Sequence, residues 1–139
     1  MAVINGSKFQ TGNPVNDAAI RELLALINAN KPGNIKKIIL MADTELTISG
    51  GIITVGQSFH SVDTEGDGAS DDLDTINGGV EGMIIYLKAS NTARSVVIKN
   101  GTGNIVCGTD CTMDNVNDTW SGIYDGSNWL ELSRADNGA

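Results

Sequence analysis

The sequence predicts a mainly β protein, a β-sandwich or barrel-like domain of about nine short antiparallel strands after an extended N-terminal arm and one amphipathic α-helix. Three observations predict this class. From residue 35 onward, short runs rich in Val, Ile and Thr are separated by Gly, Asn and Asp, which are turn residues. Several runs alternate apolar with polar residues, as Leu46, Thr47 and Ile48 do. Most of the 17 glycines lie in these breaks, as turns require.

The amino-terminal part, residues 1–33, is predicted to be a docking element, and residues 34–139 the β domain. In "NPVNDAAIRELLALINANKPGN" Asn13 can cap a helix, Pro14 suits its first position, and residues 31–33 end it. Four apolar residues recur at helical spacing and form a stripe: Ile20, Leu23, Leu24 and Ile27. Such a stripe must be buried, either on the chain's own sheet or on another subunit.

The predicted strands follow one another without a clear internal repeat. In order they are IKKIILM (35–41), ELTIS (45–49), GIITV (51–55), SFHSV (58–62), GMIIYLKA (82–89), RSVVIKN (94–100), GNIVC (103–107), DTWSGIYD (118–125) and NWLELS (128–133). The glycines of SGG (49–51) and GTGN (101–104) predict hairpin turns, because glycine adopts the positive φ that such turns need.

The composition argues against several partners. Seventeen carboxylates against nine Lys and Arg give a net charge of -8, so we expect no nucleic-acid contact. The apolar runs are much shorter than the roughly 20 residues that cross a bilayer, and the first residues lack the pattern of a signal peptide. We therefore expect no membrane partner and synthesis in the cytoplasm of the producing cell.

The sequence offers few groups for catalysis. His60 is the single histidine, so a nucleophile and base arrangement has one candidate base, and a histidine on a strand is usually packed. A pair of carboxylates of the glycosidase type stays open, although the aromatic residues that line sugar grooves are scarce. We therefore expect that the protein is not an enzyme and binds no cofactor.

The acidic stretch "VDTEGDGASDDLDTING" (62–78) matches the spacing of an EF-hand calcium loop. The matching residues are Asp63, Glu65, Asp67, Gly68, Asp71 and Asp74. Because both flanking segments read as strands and not as helices, we interpret the match as coincidence. A calcium site of another geometry stays open, with the candidate ligands Asp63, Glu65, Asp67, Asp71 and Asp74. The other interpretation is structural, with backbone N–H groups donating to Asp63, Asp71, Asp72 and Asp74 while Leu73 and Ile76 fix the loop to the core.

Cys107 and Cys111 lie four positions apart in "CGTDC". With no second pair and no nearby histidine, a zinc site is not expected. The two residues are either small buried apolar groups or a disulfide across a tight turn, and both readings stay open.

Two segments, "DTEGDGASDDLDTINGGVEGMIIYLKA" and "IYDGSNWLELSRADNGA", with "GTGNI" between them, resemble a β-rich module of tailed-bacteriophage virion proteins. The resemblance covers residues 44–139 and departs from the module at "VCGTDCTMDN". Such modules occur in capsid decoration proteins, head fibres and tail-fibre tips.

The resemblance implies a non-enzymatic, homotrimeric virion surface protein. The short arm before the β domain favours a capsid decoration, or cement, protein over a fibre tip. Its partners would be two further copies and the major capsid protein. We expect the arm and the helix stripe to bind the capsid, through Ala2, Val3, Ile4, Phe9, Ile20, Leu23, Leu24 and Ile27.

Overall fold

The computed structural model describes Arg21, Ala25 and residues 38–40 and 45–138. The chain divides into two compact units, Met1–Ile39 and Leu40–Ala139. The arm and the helix stripe predicted within 1–33 lie outside the described residues, as do all eight predicted capsid contacts. The fold is therefore described for the second unit.

The described part is mainly β and contains eleven strands. They are β1 (Leu46–Thr47), β2 (Ile52–Thr54), β3 (Phe59–Asp63), β4 (Ser70–Leu73), β5 (Thr75–Asn77), β6 (Ile84–Ala89), β7 (Ser95–Ile98), β8 (Ile105–Val106), β9 (Cys111–Met113), β10 (Thr119–Tyr124) and β11 (Trp129–Ala135). A 3-10 turn at Glu65–Asp67 joins β3 to β4.

These strands form a β-solenoid of about three turns, not a sandwich or a barrel. The first turn contains β1 and β2, the second β3, β4 and β5, and the third β6, β7 and β8. Strands of successive turns stack in parallel, so β1 pairs with β3, β3 with β6, β2 with β5, and β4 with β7. The chain thus winds around one core and adds a rung to each sheet as it advances.

The last three strands reverse this course. β9 pairs antiparallel with β7, and β10 pairs antiparallel with β6. β11 pairs antiparallel with β10, and its first two residues also pair in parallel with β8. We call β9, β10 and β11 the reversed coil. It occupies the edges that a fourth turn would have used, in the manner of a terminal capping repeat.

The three sheets follow from this winding. A six-stranded sheet has the order β1, β3, β6, β10, β11, β8; a two-stranded sheet joins β2 and β5; and a three-stranded sheet has the order β4, β7, β9. Inward-facing side chains from all three form one buried core: Ile48, Ile53, Val55, Val62, Leu73, Ile76, Ile85, Leu87, Ala89, Val96, Ile98, Ile105, Cys111, Met113, Trp120 and Trp129. Each fully buried Leu or Ile contributes about 1.5–3 kcal/mol.

Side chains complete the ladder where backbone strands end. The Asn104 amide donates to the carbonyl oxygen of Ile76 at 2.8 Å, and its oxygen accepts from the N–H of Ile76 at 2.9 Å. The indole N–H of Trp129 donates to the same carbonyl at 2.9 Å. Gly79 leaves room for this ring, since a Cβ there would lie 2.9 Å from Trp129 and 2.7 Å from Tyr124.

The predicted sandwich of antiparallel strands is wrong, because five of the eight strand pairings in the described part are parallel. Alternating apolar residues specify a strand with one buried face, and that face can be buried in a solenoid as well as in a sandwich. The pattern therefore gave the strands but not their partners.

Because no internal repeat was recognised in the sequence, a solenoid was not predicted. Its turns differ in length: Leu46 pairs with Val62, whereas Phe59 pairs with Tyr86. The first turn also has no strand in the three-stranded sheet. Unequal corners erase the fixed sequence period by which solenoids are usually recognised.

Both predicted turns are present, and the first is closed by an antiparallel bridge as a hairpin turn is, but in both cases the flanking strands lie in different sheets. Gly50 and Gly51 have φ of 57° and 80°, and Ser49 forms a bridge with Ile52, yet β1 and β2 belong to different sheets. The N–H of Gly101 donates to the carbonyl of Ile105 at 2.9 Å, and β7 and β8 likewise belong to different sheets.

Three strands were not predicted, and one predicted strand is not formed by those of its residues that the structure describes. β4 and β5 lie inside the acidic stretch, and β9 lies in the segment that begins at Cys111. Of the predicted strand at 35–41, residues 38–40 are described and are not in a strand. Charged and polar residues on the outer face of β4 conceal its single buried residue, Leu73.

Candidate binding surface

The acidic stretch is part of the solenoid wall. It begins in β3, makes the 3-10 turn at Glu65–Asp67 and continues into β4 and β5. Strands stand where an EF-hand needs helices, so the interpretation of that match as coincidence is confirmed. Leu73 and Ile76 are fully buried, as the structural interpretation predicts.

Backbone N–H groups donate hydrogen bonds to two of the four carboxylates that were predicted to accept them. Asp63 accepts from the N–H of Thr64 at 2.8 Å, and Asp71 accepts from Glu65 at 2.8 Å and from Asp72 at 2.9 Å. The Glu65 carboxylate itself accepts from the N–H of Gly50 at 3.0 Å. These bonds hold the corner between β3 and β4 in one conformation.

The assignment is wrong for Asp72 and Asp74, which contact side chains instead. Asp74 accepts from the Thr102 hydroxyl at 2.6 Å. Asp72 lies 3.9 Å from the ammonium of Lys99, which lies 2.5 Å from Asp110. Contacts with the side chains of the next turn replace the expected turn hydrogen bonds.

One arginine neutralises part of the acidic corner. The Arg94 guanidinium lies 3.2 Å from Asp63 and also pairs with Asp67. Asp63 is 7% exposed, so this ion pair is partly shielded from water. Within the described segments, no group of three or more His, Cys, Asp or Glu side chains is arranged to hold a metal ion.

The two cysteines are free thiols, Cys111 buried and Cys107 half-buried. Burial raises the pKa of both thiols. Of the two readings of these residues, the structure contains the small apolar one, with Cys111 in the core and Cys107 packed against it.

His60 is fully buried in β3, and its Nε2 accepts from the N–H of Gln57 at 3.1 Å. A histidine without solvent contact cannot reach a dissolved substrate directly. Its position matches the packed role expected of a lone histidine on a strand.

The outer face of the six-stranded sheet is apolar across four strands. In register, Ile84 of β6 lies beside Ile123 of β10, which lies beside Leu130 of β11, which lies beside Val106 of β8. We call these four residues the apolar row. Ile84, Leu130 and Val106 are exposed, although burial is the usual fate of such side chains in a sheet.

The next rows on the same face become gradually more polar. Beside Tyr86 lie Phe59 and Ser121, and Ser121 shares a 2.9 Å hydroxyl contact with Ser133. Beside Lys88 lie Ser61 of β3 and Thr119 of β10, with Ala135 of β11 opposite Thr119. Leu132, at the bulge of β11, adds a further exposed apolar side chain.

The twelve residues of these three rows include no carboxylate and a single charged group, Lys88. That composition contrasts with a chain of net charge -8. We call the three rows with Leu132 the apolar face. An apolar centre with a polar border is the composition of a protein-protein contact.

The sequence analysis did not identify this face. The signal was the unbroken apolar run Met83–Leu87, which leaves apolar side chains on both sides of β6. Such a run is usual where both faces of a strand are covered. The fold and this face define a class, a small capped β-solenoid with one exposed apolar sheet face.

No protein-family model, no curated protein and no solved structure matches the chain. Among the described residues, no helix is both long and apolar enough to span a membrane.

Proposed function

We propose that this chain is a non-enzymatic structural protein of a tailed-bacteriophage virion, a capsid decoration protein that acts as a homotrimer. It would bind the major capsid protein across capsomer junctions of the expanded head, after synthesis in the host cytoplasm. The observation that carries the proposal is the apolar face, a surface suited to binding, on a domain whose acidic stretch resembles that of phage virion modules.

The internal contacts of the acidic stretch support a mechanical role. Its carboxylates are held by backbone N–H groups, by Arg94 and by Lys99. Each such contact joins a corner to the same or the next turn. A domain with corners fixed in this way resists deformation under load better than one with free loops.

The mechanism would be multivalent binding. When internal pressure pulls capsomers apart, a trimer attached to several of them must release each attachment before they separate. The second and third attachments are intramolecular, so three weak contacts act together as one strong contact. Each attachment would need a buried area above about 1,000 Å² to be specific.

A fibre tip or receptor-binding module is the second candidate, and the reversed coil favours it. β9 and β10 close one end of the solenoid by antiparallel pairing with β7 and β6. A stack that is closed at one end by its own chain suits the far end of a longer particle component.

Binding to purified heads separates the two candidates. The full chain should bind expanded heads in hundreds of copies and should not bind host cells. Deletion of residues 2–12 should leave a folded trimer that no longer binds heads, because the arm is the expected capsid-binding segment. Normal decoration by the truncated protein would contradict this role of the arm. Adsorption to host cells with no head binding would favour the fibre tip.

A further inference from the structure

The apolar face needs an occupant, because its centre is more exposed than such side chains usually are. Ile84 and Tyr86 are each 40% exposed, Val106 is 45% and Leu132 is 53%. Single exposed apolar residues are ordinary on protein surfaces, whereas a contiguous group is not. Here strand pairing places the residues side by side, about 5 Å apart across the sheet.

The outer face of another sheet in this protein is largely polar. On the outer face of the three-stranded sheet, Asp72 of β4 lies beside Val97 of β7, which lies beside Thr112 of β9. Lys99 lies near Asp72 on the same side. A solenoid wall in this protein can therefore be polar, and the composition of the apolar face is not a necessity of the fold.

Charge indicates what covers the face. Two copies of a chain with net charge -8 repel each other wherever carboxylates face carboxylates. The three rows have no carboxylate, so two copies can meet across them without bringing carboxylates together. A basic partner would need acidic residues on the surface that binds it, because opposite charges attract, and the three rows have none.

The dimensions agree with such a contact. The rows cross five strands, from β3 to β8, and so extend about 20 Å across the sheet. A stable contact between copies takes roughly 800 Å² from each, with an apolar centre and a polar rim. The apolar row and Tyr86 supply the centre, and the row of Ser61, Lys88 and Thr119 supplies part of the rim.

We infer that the apolar face is the contact between copies of this chain, with Ile84, Leu130 and Val106 at its centre. This contact does not depend on the proposed virion role. It would hold the copies together in solution before any other partner is bound.

The test compares two isoleucines of equal exposure in the full-length chain. Ile84→Glu places a carboxylate in the apolar row, whereas Ile52→Glu places one on β2, where the isoleucine is 41% exposed and outside the face. Sedimentation velocity over a dilution series gives the oligomeric state. We expect an oligomer for the wild type and for Ile52→Glu, and dissociation at least tenfold more readily for Ile84→Glu.

Leu132→Glu is a second variant, at a more exposed position, for the case that Ile84→Glu does not fold. It should also favour dissociation. A wild-type chain that stays monomeric at every concentration would overturn the inference. If that monomer bound heads and lost the binding on Ile84→Glu, the capsid would be the occupant.

Equal dissociation of the Ile52 and Ile84 variants would also overturn the contact. A dimer sensitive to Ile84→Glu would support the contact but contradict the trimer. An oligomer that binds no heads would support the contact and contradict the virion role.

Discussion

The parallel turns and the reversed coil solve the same packing problem differently. The strands of the turns have from two residues, in β1 and β8, to six, in β6, and side chains such as Asn104 complete their ladders. The reversed coil contains the longest strand, β11 with seven residues, and contributes both buried tryptophans. Stability in the turns is thus divided among many small contacts, whereas in the coil it is concentrated in a few large ones.

The largest expected effect is in the coil. Trp129→Ala removes a fully buried ring that packs against Tyr124 at 5.0 Å and donates to Ile76, so it should lower the free energy of unfolding by about 3–5 kcal/mol. Leu73→Ala in the turns should cost about 2–5 kcal/mol, at the lower end of that range. Urea denaturation followed by circular dichroism measures both, and a larger loss for Leu73→Ala would contradict the contrast.

The next largest loss in unfolding free energy is expected at Asp118. It is almost fully buried, and it accepts from the N–H groups of Asp114 at 3.0 Å, Asn115 at 2.9 Å and Asn137 at 2.8 Å. Asp118→Asn keeps one accepting oxygen and puts an amide N–H₂ in place of the other, so at least one of these donors loses its acceptor, and we expect a loss of about 2–3 kcal/mol. Asp125→Asn is the matched control, because its carboxylate also accepts two backbone N–H groups but is exposed.

For the control the loss in unfolding free energy should be much smaller, because both N–H groups donate to one oxygen, which asparagine retains, and the site is exposed. The same denaturation experiment compares the two variants. Equal losses would show that neither burial nor the use of both carboxylate oxygens makes Asp118 more important than Asp125.

The pH dependence should follow the same groups. Burial alone would raise the pKa of Asp118, but the backbone N–H donors of Asn137, Asn115 and Asp114 outweigh it and the pKa is lowered. Hydrogen bonds from Asn128 and Ser127 likewise lower the pKa of Asp125. Because the unfolded chain then binds protons more readily, stability present above about pH 4 should fall as the pH drops further.

Thermal unfolding between pH 3 and pH 7 tests that direction. The wild type should lose stability steadily below about pH 4, and Asp118→Asn should lose less over the same range because one titrating group is gone. A wild-type melting temperature that rises on acidification would contradict the assignment.

A smaller effect is expected where a side chain completes a turn. Asn104→Asp keeps the oxygen that accepts from Ile76 but removes the donor to its carbonyl, which Trp129 still contacts. We expect a loss of about 1–2 kcal/mol. Asn100→Asp is the control, because the Asn100 side chain accepts from the N–H of Cys107, at an exposed position, through the oxygen that the aspartate retains.

The smallest effect should come from calcium. The carboxylates of the acidic stretch already contact Arg94, Lys99 and backbone N–H groups. A cation would have to displace these contacts, so millimolar calcium should leave the melting temperature unchanged. A heat of binding at micromolar calcium would show a site that involves Asp63, Glu65, Asp67, Asp71 or Asp74.

The sequence allowed most strands to be located and left their pairing undetermined. β3, β6 and β7 were predicted as strands from their runs of β-branched and aromatic residues. Which strand lies beside which depends on corner lengths, and the corner at Glu65–Asp67 has no counterpart of the same form before β2. The face was equally hidden, since an apolar run such as Met83–Leu87 does not tell whether its outer side is covered.

The hairpin of β10 and β11 has a consequence for the order of folding. Its loop is closed by Asp125, whose N–H donates to the carbonyl of Asn128 at 3.0 Å, so the two strands can pair within microseconds of meeting. The parallel rungs before it join residues far apart in the chain and pair slowly. We therefore expect the hairpin to nucleate the domain and the turns to assemble onto it, which leaves β6 and β8 of the third turn without their final partners until synthesis reaches Trp129.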